Sequence, residues 1–138
     1  MKQLFLLAAV ICFGVAILKF YSARMVQPSA PKPDKLPWRT LTAEEAKARL
    51  DENEDAILLD VRTQAEYDAG HIPGAVCLPN EDILPDLPLP FENDAEILVY
   101  CRSGRRSAEA AQKLTELGCT NVADFGGILD WPYETTTD

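Results

Sequence analysis

The amino-acid sequence predicts an α/β domain in which a mainly parallel sheet carries helices on both faces. Two continuous apolar runs, residues 56–60 (AILLD) and 96–101 (EILVYC), have the pattern of strands buried on both sides, as parallel sheets require. Capped helical segments alternate with the strand-like runs, and the connections are short, the arrangement of a doubly wound sheet.

The elements follow in order. Residues 42–53 open with Thr42 and Glu45 in capping-box spacing, and Ala43, Ala46 and Leu50 share one face of a short amphipathic helix. After the strand at 56–60, Thr63 and Glu66 repeat the capping pattern, and Gly70 ends a helix of about two turns. GAVCLP, from 74 to 79, is a short strand. Prolines 85, 88 and 90 exclude a long helix from the next stretch. The strand at 96–101 leads into RRSAEAAQKLTELG, a helix with Ala108, Ala111, Leu114 and Leu117 on one side and Gly118 as its stop. NVADF is a late strand, and GGILDWPY a turn with a final helical piece. In DVRTQAEY, Asp60, Arg62 and Glu66 read as a turn, an ion pair and a helix cap.

The N-terminal third has another character. Residues 4–18 carry no polar side chain, and extension to Tyr21 gives eighteen residues, about 27 Å of helix. This predicts a membrane anchor over residues 4–21 within segment 1–24, with Lys19 able to snorkel and Tyr21 at the interface. A cleaved export signal is the competing reading, although no small-x-small cleavage site stands out. Lys2 flanks one end and Lys19, Arg24, Lys32 and Lys35 the other, a count that favours a cytoplasmic domain, whereas the likeness to an export signal favours the opposite, so the side of the membrane is not fixed. Residues 25–37 form a proline-rich tether, and the globular domain is expected over 38–138.

Charge narrows the function. Residues 1–39 hold six basic residues and one acidic residue (Asp34), leaving seven of the 13 basic and 21 of the 22 acidic residues to the remainder. A domain so acidic lacks the basic face that a nucleic-acid partner needs. Yet three of its seven cations are Arg102, Arg105 and Arg106, gathered beside Cys101. In an open parallel sheet, ligands bind beyond the carboxyl ends of the strands. Cys101 ends a strand there and precedes a helix, with Gly104 permitting a tight turn. Such a loop, Arg102–Ser103–Gly104–Arg105–Arg106–Ser107, converges backbone N–H groups and a helix N-terminus on one point. It suits both a nucleophilic sulfur and an anionic substrate. A buried, inert cysteine beneath a solvated cationic face is the plainer alternative, less consistent with the strand-end position. The sole histidine, His71, lies far along the chain from Cys101, and no metal-ligand spacing occurs.

Three blocks, LLDVRTQAEYDAGHIPGAVCLP, VYCRSGRRS and FGGILDW, resemble the rhodanese homology domain in order and spacing, from about Leu41 to Tyr133. The resemblance implies a five-stranded, mainly parallel, doubly wound sheet and a single-domain sulfurtransferase. It implies that Cys101 takes sulfane sulfur from thiosulfate or another persulfide donor and passes it to a thiol or cyanide, without a cofactor. It also gives His71 a structural role. Sulfur exchange is consistent with this, since it needs a thiolate and a good leaving group rather than a general base. Related phosphatases place arginine six positions after the cysteine; here Ser107 stands there and Arg106 one earlier, the shorter sulfurtransferase loop. Other classes are a non-catalytic or redox-sensing module and a thiol–disulfide exchanger at the membrane. The first would be expected to lack the cysteine, and the second to carry C-x-x-C. Cys77 and Cys119 read as small buried residues, with a Cys77–Cys119 disulfide as the alternative, and Cys12 lies in the anchor. A partner protein leaves no pattern to read.

Overall fold

The computed structural model describes residues 37–138. The expected anchor, the tether up to residue 36 and Cys12 lie outside the described residues; among those described, no helix is long and apolar enough to cross a membrane. Five strands, β1 (Arg39–Thr40), β2 (Ile57–Asp60), β3 (Val76–Cys77), β4 (Ile97–Cys101) and β5 (Val122–Gly127), form one sheet in the order β1-β5-β4-β2-β3. Every strand pair is parallel. The helices are α1 (Ala43–Glu52), α2 (Gln64–Asp68) and α3 (Arg105–Glu116), with 3-10 turns at Asn80–Asp82 and Ile128–Asp130.

Alternation along β4 divides the core in two. Ile97, Val99 and Cys101 join Leu59, Val61, Ala110, Ala111, Leu114 and Val122 on one face. Leu98 and Tyr100 join Leu58, Ala46, Ala123, Phe125 and Trp131 on the other. Thus α3 covers one side and α1 the other, and β4, with all five residues buried, is the central strand. Both capping boxes form, at Thr42–Glu45 and at Thr63–Glu66.

Three details differ from the sequence expectation. Strand β1 was not foreseen: its two residues are exposed and carry no apolar pattern. Helix α2 has five residues rather than two full turns. The buried stripe of α3 is Ser107, Ala110, Ala111 and Leu114, whereas Ala108 and Leu117 are only half-buried. Ser107 is drawn inward by hydrogen bonds from its hydroxyl oxygen, 3.0 Å from the Gly104 carbonyl and 3.2 Å from that of Gly126, and this sets the rotation of the helix.

Candidate active site

The site is built where β4 ends. Cys101 is the last residue of the central strand and only 1% exposed, so its sulfur lies beneath the loop that follows. The chain then turns through Arg102 and Ser103 to Gly104, which has φ +106°, a left-handed conformation that glycine adopts without strain. This turn brings the Gly104 N–H to 3.0 Å from Cys101 Sγ. Gly104 is also the N-cap of α3, and no side chain caps that end. The unsatisfied N–H groups of the first turn and the positive end of the helix dipole therefore remain available for negative charge. Ser107 Oγ stands 3.6 Å from the sulfur.

The adjoining strand is shaped to fit this loop. Between Val99 and Cys101 the register of β4 against β5 shifts, so that Val99 faces Asp124 and Cys101 faces Gly127. Such a bulge bends a strand beside a site, and Gly126, at φ +88°, takes the turn with its N–H held by Asp124 Oδ1 at 2.9 Å. Gly127 is demanded by space rather than by dihedral: a β-carbon there would fall 2.6 Å from Ser103 Cα and closer still to the Arg102 carbonyl oxygen. The Leu129 N–H donates to that carbonyl at 3.3 Å, so the turn after β5 braces the loop from outside.

The three arginines have different surroundings. Arg102 is exposed and forms no ion pair among the described residues. Arg105 pairs with Glu109, one turn along α3, at 2.8 Å, and its side chain is 76% exposed. Arg106 turns to α2, where its two terminal nitrogens meet Glu66 at 2.8 and 2.9 Å. The Arg106 pair, helped by the Thr63 amide and hydroxyl against the opposing effect of burial, lowers the Glu66 carboxyl to about 2. Sequence reasoning placed Arg106 among the loop cations and gave Glu66 only its cap; their pairing joins residues 40 positions apart and leaves no local pattern.

The remaining candidates are structural. Asp60 is buried, accepts bonds from Arg62 at 2.6–3.1 Å and from the Tyr100 hydroxyl at 2.8 Å, and Tyr100 in turn accepts the Ile72 N–H. Burial is the first cause that raises the Tyr100 phenol above its ordinary range. His71 stacks on Tyr67 at 3.6 Å, donates from Nδ1 to the Tyr67 carbonyl and bridges Thr136 through its backbone. It is thereby committed to packing. Cys77 and Cys119 are unpaired thiols, both raised above the ordinary value by burial, with carboxylates adding to the shift at Cys77; no disulfide joins them. Among the described residues no cluster of His, Cys, Asp or Glu is arranged to hold a metal ion.

A thiol at the end of a central parallel strand, under a helix N-terminus that no side chain caps, is an arrangement suited to thiol-dependent group transfer with an anionic partner. Residues 42–133 match the family model of the rhodanese-like domain, and the chain belongs to that family. It is 37% identical over 92 residues to a sulfurtransferase of Allochromatium vinosum, covering 66% of this chain and 85% of that protein. It is 35% identical over 74 residues to the thiosulfate sulfurtransferase PspE of Escherichia coli, covering 52% and 70% respectively. Among solved structures, a rhodanese-like domain protein of Staphylococcus aureus superposes with a TM-score of 0.64 at 31% identity, over 72% of this chain and 98% of that one. A rhodanese-related protein of Thermoplasma volcanium gives 0.63 at 27% identity, over 73% and 100%. These relatives support sulfurtransferase chemistry as the general class of activity.

Proposed function

We propose that this protein moves sulfane sulfur from a small anionic donor, thiosulfate or a comparable persulfide, to a thiol or cyanide acceptor through a persulfide on Cys101. The observation that carries this reading is the Gly104 N–H at 3.0 Å from Cys101 Sγ, beneath a helix terminus that no side chain caps. The Cys101 thiolate attacks the outer sulfur of thiosulfate. A new S–S bond forms as the old one breaks, and sulfite leaves with the bonding electron pair. The acceptor then attacks the terminal sulfur of the persulfide, and Cys101 departs as thiolate. Both leaving groups are anions, so neither step requires an acid. Loop N–H groups that hold negative charge before, during and after transfer are the contribution of the fold.

Arg102 and Arg105 supply the attraction that an otherwise acidic domain would withhold from a dianion. Arg102 has no carboxylate partner among the described residues, and the Arg105–Glu109 pair is exposed and weak enough to open. Steady-state thiosulfate:cyanide kinetics at two ionic strengths test this. Arg102→Ala is expected to raise the KM for thiosulfate most, Arg105→Ala less, and both variants become less sensitive to salt, because screening acts on exposed charge. Unchanged KM and salt response in both would show that the donor is not a small anion drawn in by these residues.

A further inference from the structure

We propose that Glu66 is a positioning residue for sulfur transfer: by gripping Arg106 it fixes the first turn of α3, and with it the Gly104 N–H, against the Cys101 sulfur. The inference rests on the sulfurtransferase reading and assigns a role which that reading leaves open. Glu66 and Arg106 meet through two parallel bonds of 2.8 and 2.9 Å, the fork geometry that restricts orientation as well as distance. Their side chains are only 29% and 18% exposed, so the pair is not a screened surface contact. The carboxylate is itself held, since Oε2 also accepts the Thr63 N–H at 3.0 Å and the Thr63 hydroxyl at 3.1 Å.

The chain geometry turns this contact into a clamp. Thr63 stands three residues beyond Asp60, the end of β2, and Arg106 five beyond Cys101, the end of neighbouring β4. The pair thus fastens the turn after one strand to the turn after the next. Gly104 lies two residues before Arg106, and a glycine in a left-handed turn has no side chain to limit its swing. Without the clamp, the amide that meets the sulfur would rest on the most flexible residue of the loop. Arg106 is therefore a brace on the loop rather than one of its anion ligands, in contrast to Arg102 and Arg105.

Thiosulfate:cyanide kinetics of Glu66→Gln, Arg106→Ala, the double variant and Thr42→Ala test the role, with unfolding curves recorded for each. Glutamine keeps the size of the side chain and can still accept the Thr63 N–H, but it cannot accept both arginine bonds. Glu66→Gln and Arg106→Ala are expected to lower kcat roughly 10- to 100-fold, the scale on which small misplacements act, with KM for thiosulfate little changed. The double variant should be no slower than the slower single one, because both remove the same clamp. Arg106→Lys, which keeps charge but not the fork, should restore only part of kcat. Thr42→Ala removes the matching cap from α1, on the face of the sheet opposite α3, and touches neither Glu66 nor Arg106, so it should lower stability while leaving kcat near wild type. A raised KM at normal kcat in Arg106→Ala, unchanged kcat in Glu66→Gln, multiplying losses in the double variant, or a kcat loss in Thr42→Ala equal to that of Glu66→Gln would each overturn the inference. Failure of the wild-type protein to form any persulfide would instead strike the sulfurtransferase reading itself.

Discussion

Single residues at this site are constrained by the closeness of two backbones. At Gly127 the chain is extended, with φ −127°, so any residue could adopt its dihedrals, but the loop leaves no room for a β-carbon. Gly127→Ala must push back either β5 or the loop, and overpacking of this kind costs about 1–3 kcal/mol. Urea unfolding should show a lowered midpoint, accompanied by reduced turnover; an unaltered midpoint would mean that the two segments separate easily. The GG pair was visible in the sequence, but its reason was not, because the clash involves Arg102 and Ser103, 25 and 24 positions earlier. Cys101, Gly104 and the short loop were legible, since strand end, turn and helix start are all local. The fates of the arginines were legible only where local: Arg105–Glu109 has the spacing of neighbours one helical turn apart, whereas Arg106 finds its carboxylate in the turn region after the neighbouring strand β2.

Elements held their predicted places wherever caps and periodicity spoke together. The capping boxes at Thr42 and Thr63 fix the starts of α1 and α2 because both donors and acceptors lie within four residues. Two exposed residues form β1, held by pairing with β5 rather than by any pattern of their own. In α3 the inward turn of Ser107 decides which alanines are buried, and a serine gives no apolar signal. Helix α2 owes part of its stability to Glu66, and this predicts an acid dependence. With the carboxyl lowered from an ordinary 4.5 to about 2 by Arg106, its stabilising effect is complete above pH 4.5 and is lost as pH falls toward 2. The stability difference between wild type and Glu66→Gln should therefore be constant at neutral pH and shrink across that window. A difference that persists unchanged at pH 2 would show that the ion pair contributes nothing.

Over the whole domain, the sheet order places Cys101, the proposed nucleophile. In β1-β5-β4-β2-β3, β4 has a neighbour on each side and a packed core on each face, so the strand that carries Cys101 is the most constrained in the domain. Its lower end is also fastened: buried Glu96 accepts bonds from Arg49 at 2.9 Å and Asn53 at 3.0 Å, tying β4 to α1. Burial alone would raise the Glu96 carboxyl, but Asn53 and Arg49 prevail and lower it, so the tie is ionic at neutral pH. On the proposed reading, a strand buried on both faces below and the Glu66–Arg106 pair above hold the Cys101 thiol in place to take sulfur from an anionic donor. The mass of the unreduced protein after exposure to thiosulfate tests that claim most directly. The account predicts a gain of about one sulfur atom, removed by cyanide, present in Cys77→Ser and Cys119→Ser and absent in Cys101→Ser. Sulfur retained by Cys101→Ser, or lost with Cys77→Ser or Cys119→Ser while Cys101 is intact, would contradict it.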